Sequence, residues 1–527
     1  MAAFLSNRNP KSLAFVAGST FLFLYWLVGF DGITFSDDVY YLLAGKKFWE
    51  GTMEANAYHF STRWGAYVPS GLIGYIFGFE PHRISLISLL SYLGSLALLL
   101  KALPTKSNPW ILVLWFSTQV YFLHFLTKVY PDSLLVFWVV LIPFSAVYRD
   151  KKPFLAALGL VSGLFFGFMT KETIVFLGPL PLVLYFFDRR KKTANSSFYL
   201  WILGIGFLFA AVYISYFWLR FGDPFYRIAS INAGHYISEF TYADKGIRSI
   251  LRRISYLPII TLVERGYWLW IIMALPALWQ IMIRKNRPGL EFSVAALLLI
   301  VGFWLMSSTL EFYNPIYLNP RHLIILVPIL AFLIALGWED WQAKPKMRRV
   351  LLAMLLLGVG ISLFQGDFKM AGFQGVFFLL TGSPYLPFRS ILLMVILAIP
   401  ALFSIFYQQN LKSYPSLLIT LNEELKKGGN QEFILVNNFI DFSKEVLLDG
   451  NFQAQSKLVG IEKIDSVKSL NPSQIKVLIY RYYQHAYPKE QVDVDALEKW
   501  LTSEYVLQDE KEKDRIWVRS FERKSNQ

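Results

Sequence analysis

The sequence predicts an all-α polytopic membrane protein of about 12–13 transmembrane helices, followed by a small soluble α/β domain. Three observations carry this expectation. Apolar runs of about 20 residues, each long enough to cross a bilayer, recur through the first four hundred positions. Charged residues make up only 17% of the 527, against roughly 25% in a soluble domain. From about Ser413 the charges return and helical and strand patterns alternate. The expected boundary separates a membrane domain, 1–410, from a soluble domain, 411–527.

The first apolar run, about Leu13 to Phe30, is long for a signal peptide and lacks an A-x-A cleavage pattern, so it reads as a retained first span. Basic clusters then mark cytoplasmic loops. They fall at Arg8 and Lys11, at Lys101 and Lys106, at Arg149 to Lys152, at Arg189 to Lys192, at Arg284 to Arg287, and at Lys344 to Arg349. Each interval between clusters holds enough apolar sequence for two crossings. The expected hairpins pair 12–30 with 84–101, 108–126 with 131–148, 154–169 with 173–187, 199–218 with 264–283, and 290–308 with 322–338. An eleventh span follows at about 349–365.

Tyr67 to Phe79 is apolar but only about 13 residues long, too short to span. It reads as a helix lying along the outer surface, within a first external loop of about 31–83. Met370 to Phe388, broken by Pro384 and Pro387, is a span, a surface helix or a re-entrant piece, and 390–408 is the last span. With both crossing there are thirteen spans and the tail is outside; with one there are twelve and it is inside. In the tail, Pro415 to Lys427 reads as a helix ended by Gly428-Gly429. Glu432 to Val436 and Lys476 to Tyr480 read as buried strands, with helices at about 442–448 and 494–503. No Gly-rich phosphate loop is present, so nucleotide binding is not supported.

The net charge of +14 does not signal nucleic acid, because the cations sit in short loops where topology explains them. The absence of cysteine excludes disulfides, thiolate metal sites and cysteine nucleophiles. The six histidines have no ligand spacing.

The chemistry-bearing residues gather on the expected outer face. Asp37 and Asp38 follow the first span, with Arg63 in the same loop; Lys128, Tyr130, Pro131 and Asp132 lie at the second tip. Thr170-Lys171-Glu172 interrupts two apolar stretches. The fourth loop, about 219–260, carries Asp223, Arg227, Glu239, Asp244, Arg248, Arg252 and Arg253, and the fifth carries Asn319 and Arg321. Ionised groups at this depth need partners or a task. Asp37, Asp38 and Asp132 also fit ordinary helix starts. Carboxylates interleaved with cations suit transfer from an anionic lipid donor. A carboxylate takes the proton of an acceptor nucleophile while Lys and Arg hold a departing phosphate.

The order of these motifs carries a resemblance. It runs from Asp37-Asp38, through Arg63-Trp64-Gly65-x-Tyr67-x-Pro69 and Tyr130-Pro131-Asp132, to Thr170-Lys171-Glu172 and Asn319-Pro320-Arg321-His322. Over roughly residues 10–340 it resembles GT-C glycosyltransferases of the protein O-mannosyltransferase and lipid A aminoarabinose transferase type. Among these it is most similar to the bacterial relatives that modify lipopolysaccharide.

The resemblance implies an inverting glycosyltransferase at the outer face of the cytoplasmic membrane. Its donor would be a polyprenyl-phosphate sugar and its acceptor lipid A, a glycan or a protein. It also implies that Asp37 is the catalytic base, with Asp38 and Asp132 as further catalytic carboxylates, and that Lys171, Arg63 and Arg321 bind donor phosphate. Glu172 stands where many relatives have Gly, and Arg63-Trp64 where some have Lys-Pro. The cofactor stays open; a divalent cation held by Asp37 and Asp132 is one expectation. The rival readings are a transporter or flippase for lipid-linked sugars, which needs charges along a path across the bilayer, and a non-catalytic membrane scaffold.

Overall fold

Proline opens helix after helix in this chain. Pro10, Pro109, Pro131, Pro153 and Pro345 each begin one, at the position where a missing N–H costs nothing. The computed structural model describes residues 9–56, 58–234, 241–242, 244–284, 288–383, 386–427 and 433–524. Arg8, Glu239, Lys285, Arg287, Pro384, Gly428, Gly429 and Glu432 lie outside the described residues.

The described residues pack as two compact units. One comprises those of Met1–Leu27, Thr52–Pro69 and Ser85–Leu402; the other comprises those of Val28–Gly51, Ser70–Ile84 and Phe403–Gln527.

Seven helices among the described residues are long and apolar enough to cross a bilayer: Pro10–Val28, Pro81–Ala102, Pro153–Thr170, Ser196–Phe221, Pro320–Ala343, Pro345–Phe364 and Ile391–Lys427. Pro131–Val147 and Gly289–Leu305 are apolar but shorter. This is a multi-pass membrane protein. In the first unit, Leu326–Ala343 is apolar on nearly every side and almost wholly buried, the mark of a helix at the centre of a bundle.

Two expected spans depart from straight helices and a third is sharply bent at its start, each for a local reason. At 108–126 the chain bends by 73° between Pro109–Phe116 and Val120–Leu126. There the Gln119 side chain accepts from the Phe122 amide at 2.7 Å and starts a new helix. At 264–283 a 105° bend separates Leu257–Glu264 from Tyr267–Ile281, and Gly266 at the break has φ +72°. At 173–187 a 3₁₀ turn, Glu172–Leu177, precedes the helix Leu180–Arg190. Pro179 and Pro181 lack the N–H groups that a continuous helix would use there.

Arg149, expected as a loop cation, is fully buried instead. Its guanidinium donates to both oxygens of Asp188, at 2.7 and 2.8 Å, and also pairs with Glu291, while the Tyr199 hydroxyl donates to Asp188 at 2.7 Å. Arg253, another expected loop charge, is also buried; it donates to the carbonyls of Phe303, Trp304 and Ile316, capping the end of Gly289–Leu305.

The second unit is built on a five-stranded sheet: β1 Ile434–Val436, β2 Leu458–Gly460, β3 Gln474–Tyr480, β4 Tyr505–Lys513 and β5 Ile516–Arg523. The order is β2-β1-β3-β5-β4. β1 pairs in parallel with β2 and β3, and β5 runs antiparallel to β3 and β4. The edge strand β4 is exposed along most of its length and carries five consecutive charged residues, Asp509 to Lys513, which protect a free edge from pairing. The helix Asp37–Trp49 belongs to this unit, and Lys46 on it pairs with Asp449.

Candidate functional site

In the first unit, the start of one helix and the end of another bring opposite charges together. Asp132 follows Pro131 in the first turn of Pro131–Val147 and is 1% exposed. Lys171 follows the last residue of Pro153–Thr170, where the backbone turns extended, φ −161°. Its ammonium donates to both Asp132 oxygens, at 2.6 and 2.8 Å. Arg321, opening the 3₁₀ turn Pro320–Ile325, brings its Nε to 3.9 Å from the same carboxylate, with its guanidinium over the Tyr130 ring at 4.9 Å.

The next residue anchors a second set of charges. Arg63 donates to both oxygens of Glu172, at 3.0 and 2.7 Å, in a bidentate fork. The fully buried Arg227 reaches Glu172 at 3.3 Å and lies 4.2 Å from the Phe168 ring centroid. Gly65 makes this approach possible, because a Cβ there would lie 2.4 Å from the Thr170 hydroxyl and 2.8 Å from its backbone nitrogen. The four cations Arg63, Lys171, Arg227 and Arg321 therefore gather around the carboxylates Asp132 and Glu172.

Lys171 feels its neighbours: its ammonium is lowered to about 8, as burial pushes it down, Asp132 pulls it up, and the charges of Arg321 and Arg63 push it down again. Glu172 answers in the other direction. Burial opposes its charge, but Arg63 and Arg227 outweigh burial and hold the carboxyl well below the usual carboxylate range.

The other two carboxylates lie in the second unit, on a loop and the helix it leads into. Asp38 is 2% exposed and accepts from the Thr34 amide at 2.6 Å, the Thr34 hydroxyl at 2.7 Å, and the Ser36 and Val39 amides at 3.1 Å each. Asp37 is the first residue of the helix Asp37–Trp49 and is only half-buried. Lys412 grips the base of the loop, donating to the Ile33 carbonyl at 2.8 Å and lying 3.3 Å from Asp31. Gly32 at φ +97° leaves room for Tyr414, whose ring would overlap a Cβ there at 2.2 Å.

Within the first unit, then, Asp132, Lys171 and Arg321 meet as one group, and Arg63 meets Glu172. Sequence reasoning did not identify Arg227 as a partner of Glu172, nor Asp31 and Lys412 as supports of the acidic loop. A cation directly after two aromatic residues, Phe225 and Tyr226, was the available signal for Arg227.

A divalent cation does not fit Asp132 as it stands, because both of its oxygens already accept from an ammonium. Among the described residues, no three His, Asp or Glu side chains converge as metal ligands do.

The helical membrane unit and the small α/β unit define an ArnT-like GT-C fold. ArnT from Cupriavidus metallidurans in the apo state is similar to this chain with a TM-score of 0.59 and 13% identity, over 97% of each chain. The same protein bound to undecaprenyl phosphate is similar with a TM-score of 0.56, again at 13% identity over 97% of each chain. No family model matches the sequence, and no curated protein matches it.

Proposed function

We propose that this chain is an inverting glycosyltransferase. It moves a sugar from a polyprenyl-monophosphate donor to a lipid, glycan or protein acceptor at the outer face of the cytoplasmic membrane. The observation that carries this reading is the gathering of Arg63, Lys171, Arg227 and Arg321 around Asp132 and Glu172.

A polyprenyl-phosphate sugar is a phosphodiester with one negative charge. When the acceptor oxygen or nitrogen forms its bond to the anomeric carbon, the carbon–oxygen bond to phosphate breaks and the electron pair stays on the phosphate. The leaving polyprenyl phosphate then carries a second negative charge. Lys171, with Arg63 and Arg321, stabilises that new charge in a site from which water is largely excluded. Asp132 holds the Lys171 ammonium in position. Asp37 takes the proton of the acceptor, being the more accessible carboxylate of its pair. Asp38 keeps the loop in shape, since its oxygens already accept four hydrogen bonds. The likeness to a protein bound to undecaprenyl phosphate supports a polyprenyl-phosphate partner. The packing of tail residues on the first loop supports an odd number of spans, with both segments on one side of the membrane.

The test uses purified protein in detergent, a panel of polyprenyl-phosphate sugars and an envelope extract as acceptor source. Release of polyprenyl phosphate by the wild type and not by Asp37→Asn is the expected result. Equal release by both removes Asp37 from the chemistry. Donor binding without release from any sugar favours a transporter.

A further inference from the structure

We infer that the C-terminal part of the second unit, its sheet with the residues that follow β3, is a clamp that holds the Asp37 loop of the same unit in its working shape, with Tyr487 as the main positioning residue. This rests on the glycosyltransferase reading above for its kinetic consequence, but not for its structural one.

The loop is held in an unfavourable conformation. Phe35, two residues before Asp37, has φ +59°, a left-handed backbone rare for an aromatic residue. Such a conformation persists only where the surroundings over-determine it. They do so here. The Phe35 side chain is 2% exposed and sits among the rings of Phe439, Tyr414, Tyr480 and Tyr482, with centroids 5.0 to 6.3 Å away. The Tyr487 hydroxyl reaches the Thr34 carbonyl at 2.8 Å and the Phe35 carbonyl at 3.0 Å, bridging the strained peptide.

The sheet explains why these rings are available. Strand order reverses between β1 and β3, and open α/β sheets hold ligands at the carboxyl ends of such strands. Here the anion position at the start of helix Asn438–Leu447 is filled from within. Glu490 accepts from the Asn438 amide at 3.3 Å, the Phe439 amide at 3.1 Å and the Asn437 side chain at 3.0 Å. The residues after β3, Tyr482 and Tyr487, turn to the loop instead, and Phe439 stacks on Tyr487 at 4.8 Å. A crevice that serves other sheets as a ligand site serves this one as a grip.

The chain has no cysteine, so a single Ser36→Cys reports on the loop alone. Tyr487→Phe keeps the ring and its stacking and deletes only the bridge. It is expected to raise the maleimide reactivity of Cys-substituted position 36 about tenfold, and to lower kcat about 10–100-fold with donor KM within about twofold. Lys412→Met should act in the same direction and Lys412→Arg should restore much of the loss. Tyr505→Phe, which removes a similar hydroxyl-to-carbonyl bond to Pro472, is the control and should change neither readout. Unchanged thiol reactivity in both Tyr487→Phe and Lys412→Met overturns the clamp. So does a loss shared equally by Tyr505→Phe, which would mark general destabilisation. If no donor supports turnover by the wild type, the glycosyltransferase reading fails while the thiol readout still decides the clamp.

Discussion

The Lys171 ammonium donates to both oxygens of Asp132, at 2.6 and 2.8 Å, in a place where each is almost fully buried. The pair is not isolated. Burial first, and then Arg321 and Arg63, lower the affinity of Lys171 for its proton, so the ion is poised to lose its charge near pH 8.

That poise predicts the alkaline limb of the reaction. Lys171 is charged below about 8 and neutral above it, whereas an ordinary lysine stays charged to about 10.5. In free enzyme, kcat/KM for the donor should fall about tenfold per pH unit above that point. Lys171→Arg, which keeps its charge throughout, should abolish the limb even if its rate is lower. The same shift has a stability sign. Between about 8 and 10.5 the unfolded chain binds the extra proton, so stability should rise with pH across this window. A profile flat to pH 10 in the wild type would remove Lys171 from donor binding.

Asp132 makes the opposite contribution, raising the Lys171 value. Asp132→Asn should therefore move the alkaline limb below about 8 and reduce kcat roughly 100-fold, as an ion that is no longer held in line stabilises the leaving phosphate poorly. A variant that loses rate without moving the limb would show that Asp132 acts by some route other than Lys171.

The two carboxylates of the acidic loop should separate cleanly. Asp37→Asn should lower kcat by about 10²–10⁴-fold with donor KM unchanged, the signature of a lost proton acceptor. Asp38→Asn replaces an oxygen that accepts backbone donors with a group that offers hydrogens of its own. It should loosen the loop, seen as faster amide exchange at Thr34 to Val39, while Asp37→Asn leaves that exchange unchanged. Identical exchange in the two variants would contradict the division of roles.

Much of this was legible in the sequence because charge is conspicuous among apolar residues. Asp132, Lys171 and Arg321 stood out in that way, and the first two form the tightest pair of the site. Partners were not legible. Glu172 looks like the local companion of Lys171, yet its fork comes from Arg63, 109 positions earlier. The positive-inside pattern accounted for all the cations of the loop at Arg149 to Lys152, so nothing distinguished the buried Arg149 from its exposed neighbours Lys151 and Lys152. In the tail, β1 and β3 announced themselves by apolar runs. β2 is three residues long, and the run Asp509 to Lys513 hides β4, because an edge strand is selected for charge as well as for pairing.

The Arg149 cluster supplies a stability test independent of the reaction. Its guanidinium is shared by Asp188 and Glu291, all three essentially without solvent contact, and Tyr199 adds a further hydrogen bond. Removing the cation alone takes the shared guanidinium away from two buried carboxylates, so Arg149→Met should cost roughly 3–5 kcal/mol, read as an earlier thermal unfolding transition in detergent. Donor affinity measured on the protein that remains folded should be unchanged. Replacing all three together, as Arg149→Met with Asp188→Leu and Glu291→Leu, should recover most of that loss, since the desolvation of three ions is removed along with their attraction. A triple variant as unstable as the single one would mean that the cluster contributes net attraction beyond its burial cost.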